Sequence, residues 1–543
     1  MSDKATRVGA DRRVLWVVVA VVASVVAGPV SRPADAASMR RRPQVLRVGT
    51  WRGRSGQFRR IQDAVDAARP GDWILVAPGR YHEQGDRRGP MSGEAGAAVM
   101  VRTPGVHIRG MDRNRVVLDG TKPSATRCSR ADANQDLGRA DVNGKPAGRN
   151  GIEVFEVDGV SIDNLTACNF LNGDGGGGNA IWWNGGDGTG TQNLGSFRGS
   201  YLTATSTYYR NGQPDAEYGL FVSNTAGPGR LTHTYASNMA DASYYVGACP
   251  NCNTVLSDAH AQYSALGYSG TNSGGHLTIR DSEFDHNNTG AVTNSQNNDD
   301  APSPQDGACP AGLRKSKRIR SCWRFTDNYV HDNNNPNVPS SGSAALGPPG
   351  AGLVIAGGRN DTVTGNRFVR NGSWAVLVVP FVDTDTPPPV AHCQGGVQDF
   401  LNPGWCYYPA WGNEVAHNTF RDNGGFGNPT NGDLADLSEL HDPGNCWHNN
   451  RNPTGVTTAP ADLQHTNRKC GTPHHGAAIL GSDLSNQVIC ATEIFGPCPP
   501  APGMNYPRAT NIVLPALRPQ PTMPNPCSGV PDNPWCHDRR EED

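Results

Sequence analysis

The stretch "IRDSEFDHNN", residues 279–288, decides the fold because close copies of it recur along the chain. Each copy opens on an apolar or small residue, has a turn-forming residue near its third position and in most cases ends near an Asn. The starts at residues 202, 231, 256 and 279 are 29, 25 and 23 residues apart. The further copies begin at Ile162, Phe325, Val363 and Val415. A regular period of this length predicts a stacked repeat architecture.

A second apolar stretch follows most copies. One unit of this size cannot bury its apolar face alone, but it can do so against its neighbours in a stack. The turns are rich in Asn, Gly and Asp, which tolerate left-handed backbone conformations. The second stretches are "AIWWN" (180–184), "YGLFVSN" (218–224), "SYYVG" (243–247), "AGLVIAGG" (351–358) and "WAVLVVPF" (374–381).

These repeats resemble those of right-handed parallel β-helix proteins of the pectate-lyase-like superfamily, over roughly residues 58–450. The resemblance implies an all-β solenoid. It does not imply one reaction, because the superfamily includes lyases, hydrolases, esterases, epimerases and non-catalytic binders. Alternation within the second stretches predicts that Ile181, Leu220 and Tyr244 point into the core.

The ends of the solenoid have their own signatures. In "RRIQDAVDAARPGDWILVAPGRY", residues 59–81, apolar residues at 61, 64, 65 and 68 share one helix face before Pro70 and Gly71 end the helix. We expect this helix to cap the first coil. The expected organisation is an export signal (1–36), a linker (37–57), the β-helix (58–450) and a Pro- and Cys-rich C-terminal extension (451–543). The strands near 353 and 376 are apolar on both faces, so we expect the extension or a long loop to cover them.

The N-terminus predicts export. Two Arg residues precede an apolar run over 14–28, and Ala34-Asp35-Ala36 offers a cleavage site. The protein is then secreted, or attached to the cell surface if the signal is not cleaved. Export makes the 14 cysteines a disulfide framework, with Cys249 and Cys252 a structural pair. A net charge of −2 argues against a nucleic-acid partner. We expect a monomer with no membrane contact beyond the signal.

A column of charged residues at the third repeat position offers one site hypothesis. Neighbouring coils of a β-helix are about 4.8 Å apart, so stacked carboxylates could share a proton or hold a cation. Other copies carry Asn164, Gly365 or His417 there, and such residues favour left-handed backbone. We therefore interpret the position as a sharp bend. The charged members are His233, Asp258, Asp281 and Asp327.

An outward aromatic row beside an acidic rim is the stronger hypothesis. Trp182, Phe221 and Tyr245 should face outward on consecutive coils, where flat rings can stack on sugars. The turns before these strands supply acids. We assign Asp215, Glu217 and Asp241 as candidate catalytic carboxylates, and Asp174, Asp215 and Asp241 as candidate ligands of Ca²⁺. A register shifted by one residue would instead turn the aromatics into a core stack.

A second candidate catalytic pair is Asp299 and Asp300, which resemble the paired aspartates of polygalacturonase-like hydrolases. The companion Gly-His-Gly and Arg-Ile-Lys elements of that family are absent from this sequence. A lyase would need a strong base, and since Lys is scarce in the coils, Arg or His would have to serve. Arg210, His260 and Arg280 lie in the central coils.

The sequence thus predicts a secreted protein that binds an extracellular, acidic polysaccharide and, if catalytic, cleaves it as a lyase or glycoside hydrolase. No complete catalytic set of the superfamily is present. A non-catalytic surface or matrix protein for adhesion or carbohydrate binding is therefore the alternative.

Overall fold

The computed structural model describes residues 41–85, 95–140, 143–187, 189–210, 212, 214–297, 323–384, 393–398, 404–493, 498 and 504–537. The predicted export signal and the candidate pair Asp299 and Asp300 lie outside the described residues.

Short strands dominate the described chain, and its few helices lie near its ends. The α-helices are α1 (Ile61–Ala67), α2 (Leu463–Thr466) and α3 (Asp483–Thr492), and 3-10 turns span Asp132–Asn134 and Gly342–Leu346. The strands are, in chain order, β1 (Val45–Val48), β2 (Thr50–Trp51), β3 (Arg54–Ser55), β4 (Trp73–Val76), β5 (Gly79–Tyr81), β6 (Gly96–Val101), β7 (His107–Gly110), β8 (Val116–Asp119), β9 (Arg149–Phe155), β10 (Val160–Asp163), β11 (Thr166–Cys168), β12 (Asn172–Gly173), β13 (Gly176–Gly177), β14 (Ile181–Asn184), β15 (Phe197–Ser200), β16 (Thr203–Thr205), β17 (Tyr218–Ser223), β18 (Gly229–Ser237), β19 (Ala242–Gly247), β20 (Thr254–Gln262), β21 (Leu266–Thr271), β22 (Thr278–Arg280), β23 (Glu283–Asp285), β24 (Thr289–Asn294), β25 (Arg324–Thr326), β26 (Tyr329–His331), β27 (Leu353–Ala356), β28 (Thr362–Thr364), β29 (Arg367–Val369), β30 (Trp374–Val379), β31 (Phe381–Asp383), β32 (Val397–Gln398), β33 (Cys406–Tyr408), β34 (Glu414–Ala416), β35 (Thr419–Arg421), β36 (Gly432–Asp436), β37 (Cys446–His448) and β38 (Thr458–Ala459).

Parallel pairing between successive coils builds a right-handed parallel β-helix, as predicted. In the described residues, one sheet has 11 strands, which follow one another in chain order from β6 to β38. A second sheet has 20 strands and takes two from most coils, a first and a second half-strand separated by a short bend that contains a residue with positive φ. Within β18 and β20 both half-strands are continuous. Apolar side chains of both sheets fill the interior, and Ile181, Leu220 and Tyr244 are each 0 % exposed there, as expected.

The bend between the half-strands lies at the third repeat position, as predicted. Asn164, His233, Asp258, Asp281 and Asp327 have positive φ angles between 48° and 59°. Asparagines at the fourth and ninth positions form hydrogen-bonded ladders inside the turns. The side-chain amides of Asn328, Asn366 and Asn418 each donate to the side-chain carbonyl of the next ladder member, ending at Asn450, at 2.9–3.0 Å.

The copy that starts at Leu202 was placed wrongly by three residues. The structure aligns Gly199, not Leu202, with Leu231 of the next coil. A Cβ added at Gly199 would lie 3.0 Å from Leu202 Cδ1 and 2.8 Å from Trp183. Leu202 thus fills the core space that the glycine leaves, which is why its apolar character resembled the start of a repeat.

The first coils and the outside of the late coils are covered as predicted. Helix α1 buries Ile61, Ala64 and Val65 against the first coils. On the outside of the late coils, α3 packs Leu484 and Cys490 against the strands that contain Val354 and Leu377. The segment 504–537, called the tail below, continues from there.

Six disulfides join cysteines of the described residues, which confirms the predicted framework, including the pair Cys249–Cys252. The others are Cys128–Cys168, Cys393–Cys406, Cys446–Cys470, Cys490–Cys498 and Cys527–Cys536. In the part of the chain that the structure describes, no helix has the length and apolar character that crossing a membrane requires.

Candidate functional site

The predicted aromatic row exists on the outer face of the 11-stranded sheet. Trp182 is in register with Phe221, and Phe221 with Tyr245. The Trp182 and Phe221 rings stack at 4.9 Å between centroids, and Tyr245 meets Phe221 edge-on at 4.7 Å. Tyr218 stacks on the other side of Phe221 at 4.4 Å. The rings therefore pack mainly on one another.

The three candidate catalytic acids, called the carboxyl cluster below, lie close together beside this row. The Asn172 amide donates to Asp215 Oδ1 at 2.8 Å and to Glu217 Oε1. Ser341 donates to Glu217 Oε2 at 3.1 Å, and Tyr218 donates to Asp241 Oδ2 at 2.8 Å. Asp215 and Asp241 are 1 % and 9 % exposed, so the cluster is largely enclosed.

Burial raises the pKa values of the carboxyl cluster, so its acids stay protonated at higher pH than exposed acids do. Burial, followed by the charge of Glu217, raises the pKa of Asp215 to about 8. The same two causes raise the pKa of Asp241 to about 7. Burial also raises the pKa of Glu217. Like charges in a dry site cannot all ionise together, so these acids suit proton donation better than cation binding at neutral pH.

The proposed Ca²⁺ ligands do not come together as a set. Asp174 lies in the β12–β13 hairpin and pairs with Lys145 at 3.0 Å, with its side chain 41 % exposed. Among the described residues, Asp174, Asp215 and Asp241 are not one of the acid, His or Cys groups whose ligand atoms lie within 4.8 Å of one another. Ca²⁺ binding there stays a prediction.

Beyond Asp241, a cavity lies on the outer face of the 11-stranded sheet. Its volume is about 570 Å³, and α3 closes one side of it. Most side chains that line it are apolar, including Phe221, Leu377, Phe381 and Val488. Such walls offer little to the carboxylates of an acidic polymer, because a charge that enters them loses its water.

A pH experiment tests the carboxyl cluster. The folded state holds a proton on Asp215. In the unfolded chain, the same carboxyl releases its proton near the ordinary Asp pKa of 3.8. Between that value and about 8, the native state binds more protons, so its stability falls as pH rises. We expect Asp215→Asn to remove the part of the loss of stability with rising pH that Asp215 causes. The melting temperature of the variant minus that of the wild type should therefore be larger at pH 8 than at pH 5.

The matched control is Asp258→Asn, which changes an Asp whose side chain is 52 % exposed at a bend of the other sheet. Its melting temperature should follow that of the wild type at both pH values. Equal pH dependence of the wild type and Asp215→Asn would contradict a protonated Asp215.

A second site, of which the sequence suggested only His260, lies on the outer face of the second half-strands. The fifth and seventh repeat positions flank a buried sixth position and therefore point outward together. On three successive coils, these positions place His260, Glu283, Asp285 and His331 side by side. With His286 at the following bend, these residues are called the acid–base row below.

Hydrogen bonds connect the row into pairs of imidazole and carboxylate. His260 Nε2 lies 2.6 Å from Asp285 Oδ1, and Asp285 also accepts from His286 Nδ1. His331 Nε2 lies 2.9 Å from Glu283 Oε1. In the described residues, the Nδ1 atom of His260 has no hydrogen-bond partner, and its side chain is 32 % exposed. A carboxylate that holds one ring nitrogen leaves the other available as a base.

The charges of the row are well defined. Burial alone would raise the pKa of Asp285, but hydrogen bonds from His260 and His286 hold it well below its usual range. The bond with Asp285 raises the pKa of His286. Burial would lower the pKa of His331, but its bonds with Glu283 and Asp332 outweigh burial and raise it. The row therefore combines fixed anions with imidazoles that carry or accept protons.

Aromatic and cationic side chains extend the row along the stack. Tyr235 precedes His260 in register, and Tyr329 follows Glu283. Tyr329 stacks on His331 at 3.9 Å, and the Arg367 guanidinium lies 4.5 Å from the Tyr329 ring centroid. Further along, a cavity of about 700 Å³ is lined by Arg367, Arg421 and Arg451. A positive pocket thus adjoins the acid–base row on the same face.

Three groups of described side chains have metal-ligand atoms within 4.8 Å of one another. Two of them contain cysteines that are already in disulfides, namely Cys128–Cys168 and Cys446–Cys470. The third is His260, Glu283 and Asp285, which belongs to the acid–base row.

Some solved structures resemble the fold of this chain at low sequence identity. No protein-family model and no curated protein matches the chain. Solved structures that resemble it include the A-module of mannuronan C-5 epimerase AlgE4 of Azotobacter vinelandii, with 13 % identity over 73 % of this chain and 91 % of that chain, at a TM-score of 0.43. An alginate lyase of Paenibacillus sp. shares 12 % identity over 69 % of this chain and 95 % of that chain, at 0.30. A pectin methylesterase shares 11 % identity over 78 % of this chain and 92 % of that chain, at a TM-score of 0.30. The likeness is one of fold alone, and the strand pairings of this chain establish the parallel β-helix by themselves.

Proposed function

We propose that the protein is a secreted enzyme that acts on an acidic polysaccharide by proton abstraction at the acid–base row. The observation that carries the proposal is the pair His260 and Asp285, in which an ionised carboxylate orients an exposed imidazole. An oriented imidazole is the commonest general base in enzymes. The solved structures of similar fold are named as enzymes of mannuronan, alginate and pectin, and a uronate polymer is the corresponding substrate class here.

The proposed reaction is a β-elimination on a uronate unit. His260 takes the proton next to the uronate carboxylate, the electrons form a carbon–carbon double bond, and the bond to the leaving glycosidic oxygen breaks. That oxygen takes a proton from an acid of the enzyme, for which Tyr329 is in place beside Glu283. The exposed imidazolium of His286 pairs with the substrate carboxylate and thereby makes the abstracted proton more acidic.

Hydrolysis is less well supported at this row. A glycoside hydrolase needs one carboxylic acid whose pKa is raised so that it can protonate the leaving group. The hydrogen bonds at Glu283 and Asp285 lower the pKa of both groups. Neither acid is therefore protonated near neutral pH.

The carboxyl cluster supplies a second candidate, a glycoside hydrolase site on the 11-stranded sheet. Asp241, with its pKa near 7, lines the apolar cavity together with Phe221 and Tyr245. Asp241→Asn would abolish activity in this case and leave it intact in the case of the acid–base row. The two candidates are therefore separated by one variant.

The purified protein should be incubated with uronate and neutral polysaccharides while unsaturated products are followed by absorbance and new reducing ends are followed in parallel. The proposal expects both signals together on a uronate polymer. New reducing ends without absorbance would indicate hydrolysis. Binding without product would favour the non-catalytic adhesion protein.

The positive pocket leads to a prediction about affinity. Arg421→Glu reverses a charge that lines the 700 Å³ cavity. We expect it to weaken binding of an oligouronate about tenfold at low salt and progressively less as salt approaches about 1 M, since screening shortens the reach of charge. Isothermal titration at several salt concentrations measures this.

Arg324→Glu is the control, because Arg324 is an exposed residue of a first half-strand, outside the pocket. Its net-charge change is the same. If both variants lost affinity equally, the effect would be one of overall charge and the pocket would not be a binding site.

A further inference from the structure

We infer that the tail and the loop 121–135 close one end of the substrate face, so that the enzyme acts on polymer ends and releases short products. This inference rests on the proposed function and adds the mode of attack. It depends on where the outer face of the second half-strands is covered and where it is open.

Burial along this face changes abruptly from one coil to the next. One outward-facing register column passes through Thr166, Thr203 and Tyr235, which are 1 %, 0 % and 7 % exposed. The next members, His260 and Glu283, have side chains 32 % and 42 % exposed. Arg367 and Thr419 follow and are exposed. In this fifth-position column, the coils from Thr166 to Tyr235 are therefore covered, whereas those from His260 to Thr419 are open.

The tail covers the closed end. Its Pro521 carbonyl accepts from Arg113 at 3.0 Å, and the same guanidinium donates to Thr203 Oγ1 at 2.7 Å. Its Pro515 carbonyl accepts from the Asn238 amide at 3.3 Å. Arg113 is only 2 % exposed, which shows how closely the tail seals this part of the face.

Loop 121–135 adds a second cover, which a disulfide holds in place. Cys168 occupies the outward-facing seventh repeat position, two coils before Ser237. The same register column continues from Ser237 to Gln262 and Asp285. It is bonded to Cys128 of the loop. The Ser129 carbonyl accepts from the Asn169 amide at 2.8 Å. A polymer could not continue over these coils without displacing a cross-linked loop.

The boundary lies at Tyr235, one coil from the proposed base. The Arg518 guanidinium of the tail is near enough to Tyr235 to oppose the rise in pKa that burial causes there. Each coil advances about 4.8 Å, which is comparable to one sugar unit. Only about one unit therefore fits between the boundary and His260, whereas the other side is open past the positive pocket.

End-labelled oligomers test this directly on the wild-type protein. Short oligomannuronates and oligogalacturonates should be prepared unlabelled, with a bulky fluorophore at the reducing end, or with one at the non-reducing end. We expect a label at one of the two ends to weaken binding about tenfold or more and a label at the other end to have little effect. A double variant, Leu517→Gly with Arg518→Gly, should reduce the difference, and Val513→Gly, at a tail residue 63 % exposed, should preserve it.

The possible failures are distinguishable. If both labelled forms bind as tightly as the unlabelled oligomer, the face is open at both ends and the inference is wrong, while the proposed function stands. If no unlabelled oligouronate binds, the proposed function is wrong and the inference falls with it.

Discussion

His260→Gln is expected to lower kcat on a uronate polymer by about 10² to 10⁴, with a much smaller change in KM. General-base catalysis by a positioned side chain contributes rate factors of this order. The loss should fall on kcat because Gln keeps the size of the side chain and a hydrogen bond to Asp285 but cannot take up a proton. Initial rates followed by the absorbance of unsaturated product measure the effect.

The chain offers a closely matched control for this variant. His448 Nε2 lies 3.1 Å from Glu414 Oε1, another imidazole–carboxylate pair of the same sheet, but on the first half-strands. His448→Gln should leave kcat within about twofold of the wild type, because this pair lies outside the acid–base row and has no role in proton abstraction. An unchanged kcat in His260→Gln would place the base elsewhere, and Asp241→Asn would then be the next variant to measure.

The fold could be predicted because its determinants are local and periodic. The bends need residues that tolerate positive φ, and the sequence places Asn, Asp, Gly or His there coil after coil. The ladder asparagines and the inward apolar positions repeat at the same spacing. Leu202 shows the limit of this reasoning, since an apolar side chain can reach the core from a position outside the register.

The candidate sites were harder to predict because function depends on which face stays open. Comparison within each repeat emphasised the third position, where charged residues only form the bend. The informative positions are the fifth and the seventh. When they are compared between successive coils, they bring together His260, Glu283, Asp285 and His331. Coverage by the tail, which arrives from more than 250 residues away along the chain at Asn238, could not be read from the repeats at all.

The interior ladder is expected to show the largest effect on stability. Asn366, 0 % exposed, donates to the Phe325 carbonyl at 2.8 Å and to Asn418 at 2.9 Å. Its own carbonyl accepts from the backbone and the side chain of Asn328. Asn366→Ala removes these buried hydrogen bonds, and each group that is left unsatisfied costs about 1–3 kcal/mol. We expect the free energy of unfolding, measured by urea titration, to fall by about 4 kcal/mol.

Asn449→Ala is the control that distinguishes the loss of ladder hydrogen bonds from the general cost in stability of replacing an Asn at a turn. Asn449 is exposed and has a φ of 56°, so replacing it costs mainly the strain of a left-handed alanine, about 1–2 kcal/mol. It lies next to Asn450, the ladder member that accepts a hydrogen bond from Asn418. A loss in Asn366→Ala no larger than that in Asn449→Ala would mean that water or neighbouring groups replace the ladder bonds. A clearly larger loss would show that each coil depends on the amides of the next for its stability.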